Sequence, residues 1–448
     1  MKKNEVNTKA EVVESDYAVT NVPLDKRKAS IPIFVVLLGF CFLSITMETG
    51  ASIAHAFAWN DLILILVAGS GVLALYTGLM TALGARTGLS TVVLARFALG
   101  SWGAKWADLI LGATQVFWFA VQTAYFVELF IQGLGLSESL YVPLAIAFSL
   151  VMGFTVLKGN RGLEIISYIA LIPFVYLVFA VPTMAVSAAG GFSELMQIVP
   201  DGVGEMTMIS AITSVIGTFC SGGTNCTNWT RYAKSPLKGF FIGFAAFFIG
   251  TVIMVGTGML GGLAFNAIDM ITVFFELGIV GMAIVVLILN IWTTNASTAY
   301  AYGMAGAELF NDENKSKYVF WGTILATILT AVNVYGYFIP FLTFLGVFIP
   351  PLGAIVLADH AYNWWRKFPK MEYVTFKKIN IPNLIAYILA SVCAYISNVT
   401  AFFIPALVGM IAAFIFCFIC NKIYESATGK HGRPDYAENA EFLYNTEK

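Results

Sequence analysis

The stretch Asn290-Ile291-Trp292-Thr293-Thr294-Asn295 sets amides and hydroxyls inside an apolar segment, Val280 to Met304, that is long enough to cross a bilayer. Polar side chains at that depth are costly unless something polar meets them. On a helix, Asn290, Thr293 and Thr294 fall at i, i+3 and i+4, so their oxygens share one face. Neutral oxygens converging inside a membrane suit a weakly bound, largely dehydrated monovalent cation. The same residues are equally consistent with plain hydrogen bonds between neighbouring helices.

A second set lies at Gln115, Trp118 and Gln122, again one helical stripe, with the indole in the middle. A flat aromatic surface beside amides that both donate and accept suits a planar heterocycle. The alternative is an indole packed on a neighbour and amides bonded to backbone. Phe219 is placed to close the other face of such a sandwich. Basic side chains are missing from the apolar segments, which argues against an anionic ligand. Glu48, Glu128, Glu164 and Glu276 fall in or near these segments, and carboxylates at membrane depth are candidates for proton coupling or gating. Glu48 lies deepest of them, while Asp108 and Asp359 read as helix-end residues.

The elements that must position these groups follow from composition. Of 448 residues, 58% are hydrophobic and 11% charged, and mean hydropathy is +0.80, so this is a membrane chain and not a soluble domain. Apolar segments of spanning length follow one another at 31–56, 61–84, 106–132, 141–157, 163–187, 206–228, 238–264, 270–304, 318–335, 337–358, 381–398 and 401–423. They are called spans one to twelve. In that register all 25 lysines and arginines fall on one side, which predicts both termini in the cytoplasm. Residues 1–30 and 425–448 read as polar cytoplasmic tails flanking a 31–424 membrane domain, and the first carries no signal-peptide apolar region.

Span six holds Gly222-Gly223 flanked by Ser221 and Thr224, and span one holds Gly39, Ser44, Thr46, Glu48, Thr49 and Gly50. Both predict a helix broken at membrane depth, which is tolerated only beside a cavity. Breaks in spans one and six are corresponding if spans 1–5 and 6–10 form an inverted repeat, although the halves share no readable similarity. Several apparent motifs carry no chemistry. Gly256-Thr257-Gly258-Met259-Leu260-Gly261 matches a dinucleotide fingerprint, but no strand precedes it, so it reads as small residues for close helix packing. Asn228-Trp229-Thr230 is a sequon on the wrong side for glycosylation. Cys417-x-x-Cys420 and the other four cysteines read as small buried residues, and three histidines leave little room for zinc. An enzyme would need a nucleophile–base pair at depth, and a sensor would need a sizeable soluble output domain.

Four stretches make the chain recognisable: Gly84-Ala-Arg-Thr-Gly-Leu-Ser-Thr91 with Leu94-Ala-Arg-Phe97, Gly112-Ala-Thr-Gln-Val-Phe-Trp-Phe119, Asn290-Ile-Trp-Thr-Thr-Asn295, and Ile349-Pro-Pro-Leu-Gly353 with Ala358-Asp359. In this order they resemble the nucleobase–cation symporter family 1, and within it the bacterial cytosine permeases. The resemblance implies an all-α fold of twelve transmembrane helices in a five-plus-five inverted repeat, located in the bacterial inner membrane. It implies a sodium-driven importer of a nucleobase, cytosine foremost, with no organic cofactor and with the bilayer as its surroundings. Neither nucleic acid nor an obligate protein partner is expected. Trp118 and Phe219 would sandwich the base while Gln115, Ser221 and Asn290 bond its edge. Sodium would lie between spans one and eight, on the carbonyls of Gly39 and Phe42 with Asn290, Thr293 and Thr294. The chain departs from the cytosine permease pattern at Glu48, where those proteins carry an aromatic residue, and at Thr218 and Cys220 beside Phe219. These departures leave open a purine, uracil, hydroxymethylpyrimidine or hydantoin-like cargo, and a proton in place of sodium.

Overall fold

A computed structural model describes residues 20–158, 161–310, 312 and 314–445, with the side chains of 158–173, 308 and 445 outside that description. The Glu164 side chain and the first 19 residues of the N-terminal tail therefore lie outside that description. Among the described residues, eight helices are long and apolar enough to cross a membrane, or nine if the bent pair Ser30–Cys41 and Ile45–Ala54 counts as one. The helices pack in a pattern the apolar runs could not reveal. Span seven (Pro236–Phe265) lies along span two (Trp59–Thr87) and both halves of span one, and span two also packs on span six (Met208–Asn225). Separately, span eight (Val280–Phe310) lies along span three (Thr91–Gly133), and span nine (Lys315–Ala331) packs on spans three, four and eight. Span five (Arg161–Ala188) touches spans seven and eight, joining the two groups, and span ten (Phe338–Asp359) touches spans six and three.

Small residues set the closeness of the first group. A Cβ added to Gly258 would collide with the Met47 carbonyl oxygen, and one added to Gly50 with the Val255 carbonyl oxygen. The fingerprint-like glycines thus let two backbones touch, as expected from helix packing with no strand nearby.

Span one is broken as its polar interruption predicts. The first half ends at Cys41, Phe42 leaves the helix at φ −80°, ψ 74°, and the second half starts at Ile45 with a 57° bend. Span six corrects the companion expectation. It runs as one helix from Met208 to Asn225, straight through Gly222-Gly223, and turns only at Cys226. The glycines serve proximity instead: a Cβ on Gly222 would strike the Phe40 ring, one on Gly223 the Thr77 side chain, and one on Gly217 the Leu342 carbonyl. A helix buried on all sides keeps its own hydrogen bonds where a neighbour supplies the packing that glycine lacks.

Two further differences lie near the tails. Span three begins fifteen residues earlier than its apolar core (106 against 91) and kinks at Gly100, whose φ of 82° lets the Lys378–Ile379 backbone approach. The C-terminal tail is not featureless, so the chain is not purely helical. Phe442–Asn445 pairs antiparallel with Lys367–Pro369, and Asp435–Tyr436 with Val374–Thr375. Asp359 is buried at the end of span ten, where it accepts from Asn383 (2.7 Å), Asn363 (2.8 Å) and the Trp364 indole (3.0 Å). It ties spans ten and eleven together and is more than a helix-end residue.

Candidate functional site

The break in span one frees backbone groups inside the protein, and each must find a partner. The Phe42 carbonyl accepts from the Asn290 side-chain amide at 3.3 Å, and the Ser44 N–H donates to the Asn290 carbonyl oxygen at 3.1 Å. One carboxamide from span eight therefore spans the gap in span one. Both hydrogen bonds would be mismatched if the amide were flipped, so its orientation is fixed by the network.

The rest of the polar stretch divides by residue between the two readings open at the level of sequence. Trp292 donates to Thr155 Oγ1 (3.2 Å) and Asn295 to Thr123 Oγ1 (2.8 Å), holding span eight to spans four and three. Thr293 and Thr294 each donate to the Asn290 backbone carbonyl, at 2.9 and 2.8 Å. A hydroxyl that gives its hydrogen to its own helix keeps its lone pairs for an outside partner. Gly39 is exposed, and its carbonyl accepts from Phe42 N–H at 3.2 Å. Neutral oxygens make up this whole group, which fits a monovalent cation carried as cargo. Among the described residues no cluster of His, Cys, Asp and Glu could hold a metal ion.

The aromatic candidates are buried, Trp118 to 6% exposure and Phe219 to 3%. Trp118 meets the edges of Phe341 (5.4 Å between centroids) and Phe338 (6.1 Å) from span ten. Phe219 lies against Phe40 (6.1 Å) of span one and Phe247 (6.2 Å) of span seven. Among the described residues, no ring contact joins Trp118 to Phe219. Gln122 donates to the Trp118 carbonyl at 3.1 Å, and its Oε1 is buried without a partner, as are the hydroxyls of Ser44 and Thr46. Gln115 is half-buried one turn before Trp118. A small cavity lined by Thr91, Asp108, Leu111, Thr224 and Leu352 lies toward the tails, about two helical turns from Trp118.

Sequence reasoning did not single out Phe338, Phe341 or the Ser44 N–H. Phenylalanines three apart on an apolar helix look the same whether they face lipid or an indole, and a backbone donor has no side-chain signature.

Two interlocking groups of apolar helices, a helix broken beside a shared carboxamide and buried polar atoms around the break define a multi-pass membrane transporter. The family is given by sequence: a model described as "Permease for cytosine/purines, uracil, thiamine, allantoin" matches residues 21–418, and the chain belongs to that family. It is thus a permease and not an enzyme. Cytosine permeases of Escherichia coli strains K12 and O157:H7 are each 34% identical to it over 351 residues, which cover 78% of this chain and 82% of theirs. Among solved structures it is similar to Mhp1 in an inward-facing conformation (TM-score 0.77, 15% identity, 91% of this chain and 93% of that one). It also resembles Mhp1, a nucleobase-cation-symport-1 family transporter, closed with bromovinylhydantoin bound (0.70, 16%, 92% and 96%). A Na+-coupled sialic acid symporter in a substrate-bound, outward-open state matches at 0.60, with 12% identity over 90% and 91%. Likeness at these identities carries the fold alone.

Proposed function

We propose that this chain is a sodium-coupled symporter that imports a nucleobase, cytosine first among them, by alternating access. The observation that carries the reading is the Asn290 carboxamide across the break in span one. The carbonyls of Gly39 and Phe42, the Asn290 side chain and the lone pairs of Thr293 and Thr294 form the sodium site. Trp118 and Phe219 face the two sides of the base, and Gln115, Ser221 and Asn290 bond its edge. The Ser221 hydroxyl is buried two residues from Phe219 in span six.

Asn290 belongs to both sites, and this is the physical route to coupling. Sodium fixes the carboxamide in the orientation the base needs, and the base fixes it for sodium, so each ligand raises the affinity for the other. The fold is a twelve-span, five-plus-five inverted repeat. In support, spans 1, 2, 6 and 7 pack as one group and spans 3, 4, 8 and 9 as the other, each span with its counterpart five places on. Rocking of one group against the other exposes the site to each side in turn. The distribution of Lys and Arg puts both termini in the cytoplasm of a bacterial inner membrane.

Uptake of radiolabelled cytosine into cells lacking their own permease, in sodium and in choline media, tests this. Saturable uptake in sodium that is lost in choline is expected. Uptake that persists in choline and collapses with a protonophore would overturn sodium coupling. A panel of competing purines, uracil, hydroxymethylpyrimidine and hydantoins separates cytosine from the other heterocycles.

A further inference from the structure

Glu48 takes no part in the site above, yet it sits at a junction of four segments at the end of the molecule opposite the tails. It projects from the second half of span one and is 3% exposed. One carboxylate oxygen accepts from the Met270 backbone N–H at 2.8 Å, and the other from the Ser52 hydroxyl at 3.2 Å. Met270 opens the short Met270–Glu276 helix between spans seven and eight, preceded by Asp269, which also faces Glu48. Tyr125 of span three and Tyr335 of the connection between spans nine and ten face the same carboxylate, their rings 5.4 Å apart. Both hydroxyls are buried; that of Tyr335 lies in hydrogen-bonding reach of the Glu48 carboxylate, and that of Tyr125 has no partner.

The seam therefore joins the group of spans one, two, six and seven to the group of spans three, four, eight and nine, and its lining is polar. A junction that stays shut gains little from a buried carboxylate and a stranded Tyr125 phenol, because apolar side chains of the same volume would pack there without the cost of burying a charge. A junction that opens to water has a use for them. When the groups part, water solvates Glu48, Asp269, Tyr125 and Tyr335. When they close, one oriented hydrogen bond from the Met270 N–H to the Glu48 carboxylate locks the register. We infer that Glu48 is the bolt of a gate at this end, the outer one in the orientation proposed above. It is a positioning residue that ties the second half of span one to the segment leading from span seven to span eight, at the point where Tyr125 and Tyr335 of the other group close against it.

The chemistry predicts a split between two substitutions. Glu48→Gln keeps an oxygen for the Met270 N–H and adds an NH2 that a neighbouring phenol oxygen can accept, so the gate stays shut. Glu48→Ala removes the acceptor and leaves the Met270 N–H orphaned.

Hydrogen–deuterium exchange on the full-length protein in lipid nanodiscs reads this without cargo or ion, so its outcome is independent of what the protein carries. In Glu48→Ala, amides of 266–278 and 331–338 should exchange at least about tenfold faster than in the unaltered protein, since an orphaned buried donor favours local opening. In Glu48→Gln they should stay within about twofold. Amides around Asp359, Asn383 and Asn421 should be unchanged in both. Equal behaviour of the two variants, whether both fast or both slow, overturns the inference. So does acceleration around Asp359, because Glu48 would then be a general support of the fold. If Glu48→Ala does not accumulate, Met270→Pro removes the same hydrogen bond from the other side and must give the same local acceleration.

Discussion

Replacing Asn290 with alanine removes both hydrogen bonds that close the break in span one and leaves the Phe42 carbonyl and the Ser44 N–H without partners. Each stranded backbone group costs about 1–3 kcal/mol, so the closed geometry of the break loses about 2–6 kcal/mol. At about 1.4 kcal/mol per factor of ten, even the lower figure weakens sodium binding about thirtyfold, before the loss of a direct ligand is counted. The assay is sodium titration of the thermal unfolding midpoint of purified protein, which needs no assumption about cargo, followed by sodium dependence of uptake. In the unaltered protein sodium should raise the midpoint, and choline should not. In Asn290→Ala the sodium concentration giving half the rise should increase by at least about thirtyfold. Asn290→Asp keeps the acceptor for Ser44 and loses the donor for Phe42, but it brings a charge to the cation. It should therefore bind sodium better than the alanine variant while transporting slowly. An alanine variant whose half-saturating sodium stays within about twofold would refute the argument and reduce Asn290 to a helix–helix tie.

Trp118→Ala should abolish saturable uptake, whereas Trp118→Phe should retain part of it with a raised KM, because a smaller ring still stacks; unaffected uptake in the alanine variant would move the base elsewhere. Gly258→Val should fail to accumulate as a monodisperse species in size-exclusion chromatography, since its Cβ would strike the Met47 carbonyl, while Gly39→Ala, whose Cβ meets nothing within 4 Å, should elute normally. At the end of the bundle that carries the tails, Arg86 donates to the Trp365 carbonyl (2.6 Å) and lies over the Trp365 and Tyr444 rings at 4.3 and 4.5 Å. Tyr444 also donates to the Trp364 carbonyl at 3.0 Å. Tyr444→Ala should release the tail to limited proteolysis near Arg433, with the membrane domain intact and uptake retained; a tail that stays protected would show that the strand pairing alone holds it.

Much of the chemistry was legible along the chain because a membrane permits so little. An Asn and two Thr at i, i+3 and i+4 in an apolar run must meet something polar, and Ser44, Thr46 and Glu48 within span one mark a helix that does not continue unbroken. Those inferences need only the cost of a polar group in hydrocarbon and the period of a helix. The same reasoning failed at Gly222-Gly223, because glycine weakens a helix only when nothing packs against it. Whether Phe40 or a cavity stands opposite is a fact about another segment. Asn290 and Asn295 also share one composition and one stretch, yet one bridges the break in span one and the other braces span three. Their different roles come from the neighbour each meets across the bundle. The tail is the plainest case: residues 430–445 are polar and carry no motif, and their strands exist only because the 367–375 backbone offers them unpaired hydrogen-bonding groups. Periodicity and polarity determined which segments are apolar helices and which polar residues must have partners. The identity of those partners was decided only when the two helix groups closed on each other, since a contact between residues hundreds of positions apart leaves no mark on either stretch alone.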